Sequence, residues 1–240
     1  MSAPAGPDIT DGLVAAHRTG EWLGALVGSW SMPGPSASRL LVLHGLGLRG
    51  FGAPEAIAAI VGLGADELRR QLGCLATEGL VVYREGRLTG WALTPEGRAE
   101  QERLLAGELA ATGSRSRVER AYRRFLGLNA ELLAACTDFQ LRDDAPNDHA
   151  DPVHDAAAIE RLRAVHGALL PVLDELEASL GRYRGYRARF DHALARLGAG
   201  DHDWFARPMI DSYHTVWFQL HEDLLNTLGL RRDQESGALI

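Results

Sequence analysis

Guanidinium groups carry the cationic chemistry of this chain, because all 25 basic residues are Arg and none is Lys. Arg69 and Arg70 lie in the run DELRRQLGCLATEGL, and Arg84 and Arg87 lie in the run VVYREGRLTGWALT that follows it. A guanidinium presents a planar fork of donors that matches a phosphate or the major-groove edge of guanine. The four residues therefore form a candidate surface for a nucleic acid. The alternative is that they are solvated surface arginines.

The first of these runs predicts an amphipathic helix. With Leu68 set at 0° and about 100° per residue, Leu72 and Leu75 fall within about 40° of it and define a buried side. Arg70, Gly73 and Thr77 fall at about 140–200°, on the side opposite the leucines, and Arg69 and Cys74 flank them. The predicted DNA-contacting residues are Arg69, Arg70, Gly73 and Thr77 on this helix and Arg84 and Arg87 in the hairpin after it.

The surrounding sequence predicts the elements that hold this helix. The runs SRLLVLHGLGL and APEAIAAIVGL predict two helices before it, with the turn GAD leading into the third. The run VVYREGRLTGWALT predicts a two-stranded hairpin with Glu85-Gly86 at its tip, and PEGRAEQERLLAGEL predicts a further helix. This order is typical of a winged helix-turn-helix, in which the third helix enters a DNA groove and the hairpin contacts the flanking phosphates.

The run GLVVYREGRLTGWALTPEGRAE resembles the MarR family and related winged-helix regulators. The resemblance rests on a Gly-Leu-Val after the third helix and on a strand that ends in Leu93-Thr94-Pro95-Glu96-Gly97-Arg98. It covers Ser38 to about Leu109, and it implies a homodimeric transcriptional regulator on a palindromic operator. Two features depart from the family. The third helix begins with the acids of Gly64-Ala65-Asp66-Glu67, and a long helical segment follows the resembling part.

The charge balance leaves a second interpretation open. The net charge is −7, and between Arg39 and Glu108 there are 8 Arg against 9 Asp and Glu. DNA binding must then depend on where the arginines lie and must be sensitive to salt. The alternative is an adaptor that does not bind DNA and uses the winged helix for protein–protein interaction.

The chain is long enough for two domains. Residues 1–34 predict a flexible tail and one helix, closed by the breaker SMPGPSAS, and residues 35–110 predict the winged helix-turn-helix. Residues 111–240 predict an all-helical domain for dimerisation, effector binding or both, because no alternating strand pattern follows Thr94. The expected fold class is mainly α with a small β-hairpin.

Two cysteines, Cys74 and Cys136, suit a reducing compartment rather than a disulfide framework. The start MSAPAGPDITDG lacks the basic region of a secretory signal, and the apolar stretch from Trp22 to Trp30 is shorter than the roughly 20 residues that span a bilayer. We expect a cytoplasmic bacterial protein. No P-loop, GxSxG, HExxH or CxxC motif occurs, and we therefore expect no enzyme activity.

The run YRARFDHALARLGAGDHDWFARPMIDSYHTVWFQLHEDLL is similar to the helical effector domains of GntR-type regulators. Some of those domains bind a metal through Asp and His. Asp211, His214 and His221 fall on one side of the last predicted helix, and His166 lies in the leucine stripe of an earlier one. These four are candidate ligands for a divalent ion. The simpler interpretation is that the histidines belong to the core, and we expect no bound cofactor.

A small-molecule effector is expected to bind among aromatic and polar side chains of the C-terminal helices. The candidate effector-binding residues are His166, Tyr183, Arg187, Tyr213, His214, Trp217 and His221. The run from Tyr183 to Arg189 predicts a Tyr/Arg patch that, if exposed, suits an anionic effector. Ion pairing on the helix surface is the alternative for the patch, and a core or dimer seam is the alternative for the aromatic residues.

Overall fold

The computed structural model describes residues 36–86, 89–142 and 144–231. These residues are mainly helical and fall within one compact unit, which confirms the predicted mainly helical fold class with a small hairpin. The tail and helix predicted for residues 1–34 lie outside the described residues. No helix in the described ranges has the length and apolar composition of a membrane-spanning segment.

The N-terminal helices and the hairpin follow the predicted order. Their bounds are α1 Ser38–Arg49, α2 Pro54–Val61, α3 Ala65–Thr77, β1 Val81–Arg84, β2 Gly90–Leu93 and α4 Pro95–Thr112. Strands β1 and β2 pair antiparallel, with Val81 opposite Leu93 and Arg84 opposite Gly90. Gly52 and Trp91 exchange backbone hydrogen bonds of 3.0 and 2.9 Å. The hairpin is thereby attached to the segment between α1 and α2.

One buried face holds α3 in place. Leu68, Leu72 and Leu75 are at most 2% exposed and share a hydrophobic cluster with Leu43 and Leu46 of α1. Burying each leucine contributes about 1.5–3 kcal/mol relative to leaving it exposed. The three positions are those that the helical spacing predicts to be buried.

Helix α3 ends earlier than the run DELRRQLGCLATEGL predicts. The backbone N–H of Gly79 donates to the carbonyl oxygen of Ala76 at 3.0 Å, and that of Leu80 donates to Leu75 at 2.9 Å. These two bonds form a Schellman motif, which ends a helix where a residue adopts the left-handed conformation. Gly79 has a φ of 76°, a left-handed conformation that would be strained for a residue with a side chain. The chain therefore enters β1 directly from the end of α3.

The C-terminal half contains longer helices around a second hydrophobic cluster. The bounds are α5 Arg115–Gln140, β3 Leu141–Arg142, β4 Ala145–Pro146, α6 Pro152–Glu177, a 3₁₀ turn Gly181–Tyr183, α7 Arg184–Gly198, α8 Asp203–Ala206 and α9 Tyr213–Leu228. Helices α5 and α6 form the most extensive helix–helix contact. Phe125, Phe190 and Tyr213 are fully buried in this cluster.

The prediction that residues 111–240 are all helical is wrong at one point. Strands β3 and β4 pair antiparallel, with Leu141 opposite Pro146 and Arg142 opposite Ala145. A strand of two residues is too short to show the alternation of apolar and polar residues by which strands are identified. The small hairpin connects the end of α5 to the loop before α6.

A buried polar network joins the N-terminal and C-terminal helices. Asp223 on α9 and Arg182 in the 3₁₀ turn form an ion pair, and both side chains are 2% exposed. Nε2 of His44 on α1 lies 3.0 Å from the Asp223 carboxylate. The amide Nε2 of Gln101 on α4 lies 3.1 Å from Nδ1 of His44. When that amide donates a hydrogen bond to Nδ1, the hydrogen of the imidazole is on Nε2. This N–H then donates a hydrogen bond to the Asp223 carboxylate.

Further hydrogen bonds satisfy the network. The guanidinium of Arg182 donates to Glu108 at 2.9 Å and to the hydroxyl of Thr227 at 2.5 Å. The hydroxyl of Tyr186 donates to the second carboxylate oxygen of Asp223 at 3.0 Å. Burial by itself raises the pKa of Asp223, but the charge of Arg182 and the contact with His44 hold it well below its usual range. Asp223 is therefore ionised inside the protein.

Candidate nucleic-acid interface

The side of α3 opposite its buried leucines is open. Arg69, Arg70, Gly73 and Thr77 are all exposed there, and we refer to these four residues as the α3 face. The side chains of Arg69 and Arg70 are 67% and 73% exposed. A Cβ built at Gly73 meets nothing within 4 Å, so a ligand can approach the backbone closely at that point. Four of the six predicted DNA-contacting residues thus share one surface.

Each arginine of the α3 face forms an ion pair with an acid one helical turn earlier. Nη1 of Arg69 lies 2.5 Å from Asp66, and Arg70 pairs with Glu67. The pKa of Glu67 is lowered, first by the hydrogen bond that it accepts from Gln71. Solvent screens exposed pairs of this kind, so they are weak. A phosphate can therefore compete for both guanidinium groups.

The hairpin adds a second exposed surface beside α3. Arg84 and Tyr83 at the end of β1 are exposed, and the ring of Tyr83 packs edge-on against Trp91 with centroids 5.3 Å apart. The hairpin tip includes Glu85 and Gly86, as predicted. Arg87 lies outside the described residues, so its place on this surface stays a prediction.

The segment that carries the MarR resemblance fixes the hairpin to the end of α3. The hydroxyl of Thr94 donates to the carbonyl oxygen of Gly79 at 2.8 Å and accepts from the N–H of Gly97 at 3.0 Å. The N–H of Thr94 donates to Leu80 at 3.1 Å. A Cβ at Gly97 would lie 1.9 Å from the carbonyl oxygen of Leu80. Only glycine permits this close approach, and the junction holds α3, the hairpin and α4 together.

Comparison of the chain with family models, with curated proteins and with solved structures gives no match. The interpretation of the α3 face therefore depends on its geometry and charge. The face offers two exposed guanidinium groups, a hydroxyl at Thr77 and an uncrowded backbone at Gly73. These groups can form hydrogen bonds with phosphate oxygens and with the edges of bases.

Most of the candidate effector-binding residues belong to the C-terminal core. Tyr183, Tyr213 and Trp217 are at most 2% exposed. The indole N–H of Trp217 donates to Asn129 at 3.1 Å, and its ring stacks on Phe125 with centroids 4.4 Å apart. This environment agrees with the alternative that the aromatic residues form a core. Effector binding by them stays a prediction.

The run from Tyr183 to Arg189 does not form an exposed Tyr/Arg patch. Tyr183 and Tyr186 are buried. Arg187 pairs with Asp174, and its Nε lies 3.7 Å from Glu177. The helical period turns both tyrosines toward the core, while the acids of α6 pair with the arginine. Arg187 therefore fits the alternative interpretation, which is ion pairing on the helix surface.

The four candidate metal ligands do not converge. Nε2 of His166 lies 3.2 Å from Asp191, and its Nδ1 lies 3.3 Å from the hydroxyl of Tyr213. Asp211 instead accepts two hydrogen bonds from Arg189, at 2.9 and 3.1 Å. Within the described ranges, no three of the four predicted ligands form a cluster that could hold an ion.

The remaining two candidates lie on α9 and are at least partly buried. His214 is half-buried, and this burial lowers its pKa. The ring of His221 lies 5.5 Å from that of Phe125 and 6.2 Å from that of Tyr122. Burial, the largest effect, also lowers the pKa of His166. These histidines therefore fit the interpretation of core residues on α6 and α9.

Sequence reasoning missed a different cluster, formed by His149, Asp155 and His202. The Nδ1 atoms of the two histidines lie 3.0 and 3.9 Å from Oδ2 of Asp155. His202 belongs to the run GAGDHDWFARP, far along the chain from the run DDAPNDHADPVHD that holds the other two. No fixed spacing joins the two runs. The density of His and Asp in both was the only signal in the sequence.

Proposed function

We propose that this protein is a homodimeric, DNA-binding transcriptional regulator of the winged helix-turn-helix type, acting in the bacterial cytoplasm. The observation that supports the proposal is the α3 face, in which exposed Arg69 and Arg70 lie opposite three fully seated leucines. A helix of this kind fits the major groove, which is about 12 Å wide. Arg70 is suited to the O6 and N7 atoms of guanine, and Arg84 to a phosphate beside the groove.

We further propose that the C-terminal helices dimerise, bind a small-molecule effector, or do both. Two α3 helices of a dimer must lie about 34 Å apart to enter successive major grooves on one side of a duplex. An effector that favours one arrangement of the C-terminal helices changes this distance. The contact between His44 on α1 and Asp223 on α9 supports such a connection, because α3 packs against α1.

A second candidate function is protein–protein interaction without DNA binding. It is favoured by the ion pairs of Arg69 with Asp66 and of Arg70 with Glu67. Phosphates of a duplex at the α3 face would lie close to both carboxylates. The negative charges of the phosphates and the carboxylates would repel each other. A protein partner that carries both positive and negative groups avoids this repulsion. The two functions differ in whether the purified protein selects a duplex sequence.

The proposal is tested by selecting duplexes from a random-sequence library with the purified protein and measuring the affinity of the enriched sequence. Arg70→Ala is expected to weaken binding by about 10–100-fold, because it removes a bidentate contact to a base. The matched control is Arg163→Ala on α6. Arg163 is also exposed and pairs with an acid three residues earlier, Glu160, but lies away from the α3 face. This control is expected to bind as tightly as the wild type.

Two outcomes contradict the proposal that the α3 face recognises DNA. One is a selection that enriches no duplex over random sequence, which favours the protein-interaction alternative. The other is equal loss of affinity in Arg70→Ala and Arg163→Ala, which indicates binding through overall charge rather than through α3. Fluorescence anisotropy at several salt concentrations separates the two contributions, because phosphate contacts are the part that salt weakens.

A further inference from the structure

A second group of polar side chains, apart from the α3 face, meets at the N-terminal end of α6. His149 lies in the loop after β4, Asp155 in the first turn of α6, and His202 just before α8. Their ligand atoms all lie within 4.8 Å of one another. We propose that these three residues, here named the His-His-Asp site, bind a divalent transition-metal ion, with Zn²⁺ as the expected occupant.

The distances between the ligand atoms suit a single ion. Nδ1 of His149 is 3.0 Å from Oδ2 of Asp155, and Nδ1 of His202 is 3.9 Å from the same oxygen. Tetrahedral zinc, with bonds of about 2.0–2.1 Å, holds its ligand atoms about 3.3 Å apart. The ring of His202 must move inward by at least about half an ångström to complete the site. Its side chain is 39% exposed, which leaves room for that movement.

The charge of Asp155 supports a bound cation. Its side chain is 5% exposed, yet within the described ranges no Arg lies within 4 Å of its carboxylate. Its partners are the two imidazoles and the amide of Asn147, which donates to Oδ1 at 2.8 Å. Asp223, whose side chain is 2% exposed, has the guanidinium of Arg182 instead. A metal ion between the imidazoles gives Asp155 the permanent positive partner that buried carboxylates require.

Asn147 orients the carboxylate before any ion binds. Its Nδ2 donates to the carbonyl oxygen of Phe139 at 2.9 Å as well as to Asp155, and its Oδ1 accepts from the N–H of His149 at 3.1 Å. These backbone contacts fix the amide in one orientation. The ring of Phe139 lies 4.8 Å from that of His149 and 5.5 Å from that of His202. Contacts around metal ligands of this kind raise affinity by holding the ligands in position.

The donor set identifies the class of metal. Two imidazole nitrogens favour Zn²⁺, Co²⁺ or Ni²⁺ over Mg²⁺ and Ca²⁺, which prefer oxygen ligands alone. Three protein ligands leave one position for water or an anion. A bound ion joins the loop after β4 to the connection between α7 and α8. The site lies on the C-terminal helices and does not depend on DNA binding.

The test uses untagged full-length protein, stripped with EDTA, dialysed and titrated with CoCl₂ and then ZnCl₂. One equivalent of Co²⁺ is expected to give visible absorption bands that Zn²⁺ abolishes. At a 100-fold excess of Zn²⁺ over its Kd, the Tm is expected to rise by about 5–10 °C. Substitution of either histidine is expected to weaken binding by about 100-fold or more.

The variants are chosen so that folding is preserved. His149→Asn suits the φ of 59° at this position, because Asn tolerates the left-handed region. His202→Ala removes a partly exposed ring. The matched control His192→Ala removes another exposed imidazole, which packs on Trp204 with centroids 4.8 Å apart. The circular dichroism spectrum of each variant checks its folding. The proposal is overturned if the wild type binds neither ion, or if His149→Asn and His202→Ala bind as tightly as His192→Ala.

Discussion

Replacing Asp223 with Ala is expected to lower the free energy of unfolding by about 3–5 kcal/mol, because it breaks a buried ion pair from one side. The guanidinium of Arg182 is 2% exposed and would lose its closest carboxylate. His44 and Tyr186 would each lose the acceptor of a hydrogen bond of 3.0 Å. Urea unfolding followed by tryptophan fluorescence measures the change as a lower midpoint at constant slope.

The matched control for this substitution is Asp174→Ala. Asp174 also pairs with an arginine, Arg187, but its side chain is 70% exposed. Water replaces the lost contact there, so the free energy of unfolding is expected to change by less than about 0.5 kcal/mol. A loss below about 1 kcal/mol for Asp223→Ala would show that the buried polar network does not hold the N-terminal and C-terminal helices together.

Gly97→Ala is expected to destabilise the protein by about 2–3 kcal/mol and to weaken DNA binding as well. The new Cβ would lie 1.9 Å from the carbonyl oxygen of Leu80, a backbone atom that cannot rotate away. Either α4 or the start of β1 must shift, and the hairpin then moves relative to α3. Thermal unfolding and anisotropy with the selected duplex measure the two effects.

Gly107→Ala on the same helix is the control, and its effect is expected to have the opposite sign. Gly107 is exposed, and a Cβ there meets nothing within 4 Å. Replacing a helical glycine by Ala in open space stabilises by about 0.5–1 kcal/mol, because the unfolded chain loses freedom. Equal effects of Gly97→Ala and Gly107→Ala would contradict a tight junction between α4 and the end of α3.

The α3 face could be predicted because a single helix defines it. The burial of Leu68 and Leu72 and the exposure of Arg70 follow from a period of 3.6 residues within one run of sequence. The end of α3 was harder to place. The run reaches Leu80, but the helix stops because Gly79 adopts a left-handed conformation stabilised by two backbone hydrogen bonds. A glycine just after the last helical residues is itself a typical helix-ending signal.

Contacts between distant residues could not be predicted in the same way. His44 lies within an apolar helical run, and its neighbour Arg182 is 138 positions away. Nothing in either run marks the other as its partner. The His-His-Asp site also joins distant residues. His149 lies close to Asp155 in the sequence, whereas His202 comes from a separate segment. The predicted metal ligands do not converge because His166 and Asp211 each pair with a different residue, and the ring of His221 lies beside that of Phe125.

The buried polar network provides a physical connection between the two activities proposed for the regulator, effector binding and DNA binding. His44 belongs to α1, on which α3 packs, and Asp223 belongs to α9 of the C-terminal helices. Buried hydrogen-bonded pairs transmit displacement because the cost of separating them is high. We therefore expect an effector bound to the C-terminal helices to alter the position of α3 through this contact.

A DNA-cleaving iron chelate attached to Cys74 gives the most direct test of the central claim. Cys74 is exposed and lies beside the α3 face, whereas Cys136 is buried. Burial raises the pKa of the Cys136 thiol to about 11, so it reacts slowly with the reagent at neutral pH. The control carries the chelate on α6 through Arg163→Cys in a Cys74→Ser background.

If α3 enters the major groove, the chelate at Cys74 cuts the selected duplex at two positions about 10 bp apart, one for each protomer of a dimer. The chelate on α6 leaves the same duplex uncut. A selected duplex that the protein binds tightly but that the Cys74 chelate does not cut would contradict the account, as would cutting of equal strength from α6.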